Sequence, residues 1–268
     1  MDSAFGGSPS LPNDFAKGPL VEVLSAAQKG KQGKSGLGIR GHVFVEDKQT
    51  LTLGLEFNNQ TEQALSGFDI MINKNPFAVH VTGASNKIEF PAPGSTAYGT
   101  VPLTINKNNL DAKSPPKSPF IIQIAMKSSL DVFYFNVNCH VHNLINFAQP
   151  INKEEFKGFW EKIGKKNEFS LNVAPDQLYG GFNKADLATS LIEGLDVNGF
   201  VNMVRIRGKQ DTATMCYFGA KTINNLPMLF EVAIPDDGSE LNVVYKVPVM
   251  PLKPLVEEAL KHILTRQE

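Results

Sequence analysis

The sequence is short of several things, and each shortage closes off a class of protein. Two cysteines in 268 residues, Cys139 and Cys216, are too few for a disulfide framework and lack metal-ligand spacing. A reduced, cytosolic setting is the expectation. No apolar run is long enough to span a bilayer, and residues 1–18, MDSAFGGSPSLPNDFAKG, lack the apolar stretch of a secretory signal. The sequon Asn59-Gln60-Thr61 therefore reads as unused. Charge is balanced, 26 basic residues against 27 acidic, so there is no field of one sign to gather nucleic acid or an anionic membrane. Neither nucleic-acid binding nor direct membrane insertion is expected. The G-x-S-x-G and H-E-x-x-H signatures of hydrolases are also missing.

What is present is a chain of 42% hydrophobic residues, long enough for two domains of about 100–150 residues each. Residues 1–18 are Gly-, Ser- and Pro-rich and read as a flexible hinge remnant, because they cannot offset the entropy of ordering. Residues 19–145 carry strand periodicity. Leu51, Leu53, Leu55 and Phe57 alternate with Thr52, Gly54 and Glu56, which predicts one buried and one solvated face. Further β-rich runs follow at 68–72, 77–81, 87–90, 100–105, 120–126 and 130–138. They are separated by turn formers such as 73–76, 91–94 and Ser114-Pro115-Pro116. Seven or eight short strands without a helix predict an all-β immunoglobulin-like sandwich.

Residues 146–268 read differently. Phe156, Phe159, Trp160 and Ile163 recur at helical spacing over 153–163. A second helix is predicted from an Asn183 N-cap, through Leu187 and Leu191, to a stop at Gly194. Strand-like runs at 201–208, 215–221, 227–234 and 241–247 precede a closing helix over 254–264, with Leu255, Leu260, Ile263 and Leu264 on its apolar face. Helices around an antiparallel meander predict an α+β platform subdomain, an antiparallel sheet flanked by helices.

Three features imitate chemistry. Residues 28–35, QKGKQGKS, end as a phosphate-binding loop ends. Gln28 stands where the first glycine belongs, and a strand rather than a helix follows, so a solvated basic loop is the reading. His140 and His142 would share one face of a strand but have no evident third or fourth ligand. Cys139 and His140 are strand neighbours pointing to opposite faces, which spoils a thiolate–imidazole pair. No enzyme, metal or cofactor is expected.

The segments INKNPFAV (72–79), DVFYF (131–135), FKGFWEKIGKKNEFSLNV (156–173), CYFGAK (216–221) and LFEVAI (229–234) together resemble the appendage, or ear, of the beta-adaptins of clathrin adaptor complexes. The resemblance implies an immunoglobulin-like sandwich and an α+β platform, carried on a hinge from the adaptor trunk and its remaining subunits. It also implies a role in recruiting endocytic accessory proteins, cargo adaptors of epsin-like and arrestin-like kinds, and clathrin. The setting implied is cytoplasmic, on coated pits and vesicles at the plasma membrane or at the Golgi and endosomes. Platform-site positions carried over are Lys153, Trp160, Glu168, Tyr217, Glu231 and Lys246, with Tyr134 for a second site on the sandwich. The implied ligand is a short helix with spaced aromatic or aliphatic anchors and a trailing arginine, laid in a groove. In these roles Trp160 and Tyr217 wall the anchor, Glu168 and Glu231 accept the arginine, and Lys153 and Lys246 meet acidic ligand residues.

Two positions depart from the family: Lys153 replaces an arginine, and Ala233 stands where an arginine is usual near the rim, which points toward less acidic ligands. Periodicity alone would put Trp160 in the core; the resemblance makes it a ligand anchor with one ring face inward. Other readings are an appendage of another adaptor or coatomer subunit with a different motif, an enzyme using His140, His142 or Cys216, and a spacer with no ligand.

Overall fold

A computed structural model of the chain describes residues 20–46, 50–75, 77–82, 87–88, 91–105, 120–180, 182–196, 199–207 and 212–265. The hinge reading of residues 1–18 and the Ser114-Pro115-Pro116 separator lie outside them. Two compact units result: one comprises Lys17–Leu144 with Ile223–Asn225, and the other is built on Ile145–Thr222 and Leu226–Glu268.

The first unit is a sandwich-like pair of antiparallel sheets. Its strands are β1 (Val21–Leu24), β2 (Leu37–Glu46), β3 (Thr50–Asn59), β4 (Asp69–Ile72), β5 (Val79–Val81), β6 (Lys87–Ile88), β7 (Thr96–Ile105), β8 (Phe120–Lys127) and β9 (Val132–Cys139). One sheet runs β1-β2-β3-β7-β5, with β6 also paired to β7, and the other runs β4-β8-β9. Leu53, Leu55 and Phe57 are completely buried, as their alternation requires. Each such side chain contributes about 1.5–3 kcal/mol by leaving water. The opposite face of β3 departs from the simple pattern, because Thr52 and Gly54 are also buried. Gly54 lies under the rings of its neighbours: a Cβ there would sit 2.4 Å from the Tyr98 hydroxyl and 2.6 Å from His42 Nε2. Cross-strand side chains close over the missing one.

The phosphate-loop imitation is the β1–β2 connection, and its amides already hold an anion. The buried Asp131 carboxylate accepts from the backbone N–H groups of Gln32 (2.9 Å), Lys34 (3.1 Å) and Val132 (2.6 Å). Burial acts to raise its pKa, but these amides outweigh it and hold it below the usual carboxylate value. Gly30 is required because a Cβ would fall 2.5 Å from Asp131 Cγ. The next residues, Gly36-Leu37-Gly38-Ile39-Arg40-Gly41, spell a G-x-G-x-x-G fingerprint, yet Leu37–Gly41 lie within strand β2 and no helix follows to receive a pyrophosphate. His140 and His142 are not on a strand, which ends at Cys139; they flank the start of a 3-10 turn, Val141–Leu144, with rings stacked at 5.2 Å.

The second unit is a five-stranded antiparallel sheet with helices on both faces. Its elements are α1 (Lys153–Ile163), β10 (Glu168–Val173), α2 (Leu187–Asp196), β11 (Val201–Ile206), β12 (Ala213–Lys221), β13 (Pro227–Pro235), β14 (Leu241–Lys246) and α3 (Lys253–Thr265), in the sheet order β10-β14-β13-β12-β11. One face carries Val243, Tyr245, Phe230, Cys216 and Phe218, all at most 1% exposed, and lies against α2 and α3. Arg205 reaches Thr189 of α2, and the Tyr245 hydroxyl donates to Glu257 of α3 at 2.8 Å.

The expected stop at Gly194 is overturned. Asn183 caps a 3-10 turn, Lys184–Asp186, and the α-helix then runs through a buried Gly194 to Asp196. Gly199, at φ +81°, is the left-handed residue that ends the helix, its N–H bonding back to Asp196. Gly194 sits in the packed stripe and keeps helical geometry. No helix among the described residues is long and apolar enough to cross a membrane.

Candidate functional site on the α1 face

The other face of this sheet is built in rows that the strand register defines. One row runs Glu168, Lys246, Leu229, Gly219, Val201; the next Ser170, Val244, Glu231, Tyr217, Val204; the third Asn172, Asn242, Ala233, Met215, Ile206. Helix α1 lies over the first. It opens with a complete capping box, in which Asn152 accepts from the Glu155 amide and Glu155 from the Asn152 amide. Gly164, at φ +67°, closes it. Phe156 drops into the space left by Gly219, where a Cβ would lie 2.8 Å from the ring and 2.9 Å from Ile151. Lys221 pins the helix start, its ammonium 2.8 Å from Glu155. That bond and the Asn152 amide hold the Glu155 carboxyl below its ordinary pKa.

Only Phe156 of the α1 stripe is buried; Phe159, Trp160 and Ile163 are half-buried and pack against it and its neighbours from the side. Trp160 stacks on Phe156 at 5.4 Å and 19°, and meets Tyr217 edge-on at 6.1 Å and 75°. Two half-buried aromatic rings set at right angles form a corner. Glu231 is paired across the strands with Tyr217, which places its charge beside the phenol. Burial first, then the Glu231 charge, push the Tyr217 hydroxyl above its ordinary pKa, so it stays a neutral donor.

Lys246 is only 4% exposed and its ammonium is turned inward rather than toward a ligand. It donates to the Trp160 carbonyl at 2.9 Å, lies 4.5 Å from the Trp160 ring centroid, and pairs with Glu168 at 3.2 Å. One cation thus joins the end of α1, the indole and a carboxylate. The structure brings Trp160, Tyr217, Glu168, Glu231 and Lys246 together. Lys153 is exposed in the first turn of α1, seven residues and so about 10 Å of helix before Trp160.

Val204, Met215, Ala233 and Val244 are half-buried on the same face, and Ile206 is 49% exposed. All but Ala233 escaped the sequence reading. The signal was available, since Met215 lies two residues from Tyr217 and Ala233 two from Glu231, the period of a strand face.

Tyr134, on the first unit, points outward at 53% exposure. It forms a row with Ala125 and Met71, itself 66% exposed, across the three-stranded sheet. The β1–β2 loop borders it: Gln28 donates to the Tyr134 carbonyl at 3.3 Å. Cys139 and Cys216 are buried thiols whose pKa values burial pushes up, which leaves them poor nucleophiles. Among the described residues no three His, Cys, Asp or Glu side chains gather where a metal could sit.

Comparison with known proteins bears on the second unit. Residues 148–264 match the family described as Beta2-adaptin appendage, C-terminal sub-domain. These residues belong to the beta-adaptin appendage family. The chain is similar to human AP-1 complex subunit beta-1, 26% identical over 200 residues, which is 74% of this chain and 19% of that protein. It is similar also to the mouse AP-1 complex subunit beta-1, 26% identical over 171 residues, 60% of this chain and 18% of the relative. The human alignment is too long for the platform alone and takes in part of the sandwich. The chain spans about a fifth of the length of these relatives. A crystal structure of the yeast GGA1 GAE domain aligns over 40% of this chain and 93% of its own length. Its 12% identity and TM-score of 0.25 are too slight to bear on the fold. The matched platform is a non-enzymatic binding module. The imitations of a phosphate loop and a dinucleotide fingerprint lie outside it, in the β1–β2 connection and strand β2 of the first unit.

Proposed function

We propose that this appendage serves a clathrin adaptor beta subunit, recruiting accessory proteins, cargo adaptors and clathrin through short linear motifs during vesicle transport. The observation that carries the reading is the half-buried corner of Trp160 and Tyr217, with Glu231 beside it, on the α1 face of a beta-adaptin appendage platform. An aromatic corner takes a Phe or Leu anchor at small entropic cost, and the adjoining carboxylates Glu231 and Glu168 accept an arginine fork. Lys246 acts from beneath, orienting the indole and Glu168; Lys153 supplies a positive charge at the far end of α1. The exposed Tyr134 row of the sandwich is the second binding surface. The setting proposed is the cytoplasmic face of coated pits and vesicles, the hinge joining the appendage to the rest of the adaptor.

The test uses a helical peptide of the form Phe-x-x-Leu-x-x-x-Arg. Trp160 is the only tryptophan in the chain, so its own fluorescence reports the site. Binding with a Kd on the order of micromolar, accompanied by a change in Trp160 emission, is expected. Calorimetry on Trp160→Ala should show at least a tenfold loss. Unchanged affinity in that variant would remove the platform from the function.

A further inference from the structure

We infer that the platform ligand carries an additional large apolar residue, about one turn before its Phe anchor, which seats on the terrace formed by Met215, Ala233, Val204 and Ile206. The inference rests on the peptide-binding reading above and specifies the chemistry of that ligand.

The terrace is continuous with the aromatic corner. Met215 and Ala233 lie side by side in the row next to that of Tyr217 and Glu231, two residues along the same strands. Val204 stands beside Tyr217, and Ile206 beside Met215, at the sheet edge. Ile206 leaves 49% of its surface to water, and with half-buried Met215, Ala233 and Val204 it makes a contiguous apolar patch. The third row contributes no charge: its other members are Asn172 and Asn242, which bond to each other at 2.8 Å.

Charge sets the direction of the ligand. The carboxylates lie in the first two rows, Glu168 in the first and Glu231 in the second, and the buried Lys246 is matched to Glu168. A ligand arginine is drawn to that end. The residues that precede the Phe then cross the uncharged third row. An acidic side chain there would lose water against Met215, Ala233 and Ile206 with no cation in the row to receive it; an aliphatic one buries area on both partners.

The lengths agree. From Glu168 to Met215 is three interstrand steps and four residues along the strands, about 14 Å by 13 Å, or roughly 19 Å on the diagonal. A helix from the arginine to four residues before the Phe covers twelve residues, eleven rises or about 16 Å, and the two terminal side chains cover the remainder.

The experiment measures the affinity of two peptides for the whole chain, identical except for Leu or Glu four residues before the Phe of Phe-x-x-Leu-x-x-x-Arg. The wild type should prefer the Leu peptide by about tenfold. Ala233→Arg, which places a cation on the terrace, should abolish or reverse that preference, and Ile206→Glu should weaken the Leu peptide alone. Both changes fall on solvent-facing positions, and a thermal melt checks that each variant folds. Trp160→Ala should lose both peptides. Equal wild-type affinity for the two peptides, with both lost in Trp160→Ala, overturns the terrace and leaves the site standing. Retention of both peptides in Trp160→Ala overturns the site itself, and no binding by the wild type overturns both.

Discussion

The chain presents aromatic residues on two surfaces made by different means. Tyr134 is displayed by one strand: β9 alternates, Phe133 and Phe135 go inward, and the tyrosine between them has nowhere to go but out. Its neighbours Ala125 and Met71 come from adjoining strands of the same sheet. Trp160 is displayed by a helix whose stripe is only partly covered. It is held at half-burial by Phe156, Tyr217 and Lys246, which come from α1, β12 and β14. The first surface is a flat row; the second is a corner with a polar floor. A flat row suits an extended segment or a broad protein face, whereas a corner bordered by carboxylates suits a single anchored helix.

Crossed substitutions break this comparison most sharply. Trp160→Ala should cost the Phe-x-x-Leu-x-x-x-Arg peptide about 2 kcal/mol or more, and Tyr134→Ala should leave that affinity unchanged. A pull-down from cytosol with both variants should divide the recovered partners into two sets. Loss of every partner in either variant alone would mean that the two surfaces act as one.

Packing comes next. Gly219→Val drives a side chain into Phe156 and Ile151, and should lower stability by about 1–3 kcal/mol, read as a fall in Tm. Ala125→Val, on the open Tyr134 row, should stay within about 0.5 kcal/mol. A Gly219→Val protein as stable as wild type would show that α1 is not seated through that glycine.

Lys246→Met tests the polar floor. It removes a donor to the Trp160 carbonyl and leaves Glu168, about a third exposed, to be rehydrated. The expected cost is about 1–2 kcal/mol, with a shift in Trp160 emission before any ligand is added. Unaltered emission would separate the lysine from the indole.

The smallest effect is on acid stability, and it compares the two units directly. Asp131 in the sandwich and Glu155 in the platform both have lowered pKa values when folded. For a lowered carboxylate the stabilisation is fully present above the unfolded value, about 3.9 for Asp and 4.3 for Glu, and is lost as pH falls through the folded one. Tm should therefore change little from these groups between pH 7 and 5 and decline below about pH 4. Asp131→Asn should be less stable than wild type at pH 7, with the gap closing as the pH falls below 4. A gap that persists at low pH would mean that the carboxylate charge is not what holds the β1–β2 loop.

Much of this architecture was legible beforehand. The bounds of α1 follow from the apolar spacing 156, 159, 160, 163; the Asn152 cap and the Gly164 stop were added by the structure. The strands follow from period-two runs and Pro- or Asn-rich breaks. The misreadings were of burial and capping. Gly194 has the residue type of a stop, but only packing shows that the helix continues past it and ends at Gly199. Thr52 and Gly54 alternate like solvent positions and are buried, Gly54 under His42 and Tyr98, and Thr52 between its cross-strand partners Phe44 and Pro102. Lys246 has the residue type of a surface charge, and its inward turn depends on a carbonyl 86 residues away.

By itself, then, the sequence determined which side chains share a face, because the helical and strand periods are local properties of the backbone. It set Tyr134 on the opposite face from Phe133 and Phe135 and put Trp160 in a stripe with Phe156. Tertiary structure alone decided how deeply each face is covered. That decision made Phe156 core and Trp160 a corner, turned Lys246 into a floor, and left Met215, Ala233 and Ile206 as an uncovered terrace. Coverage is set by elements far apart in the chain, through the space that residues such as Gly219 leave between them.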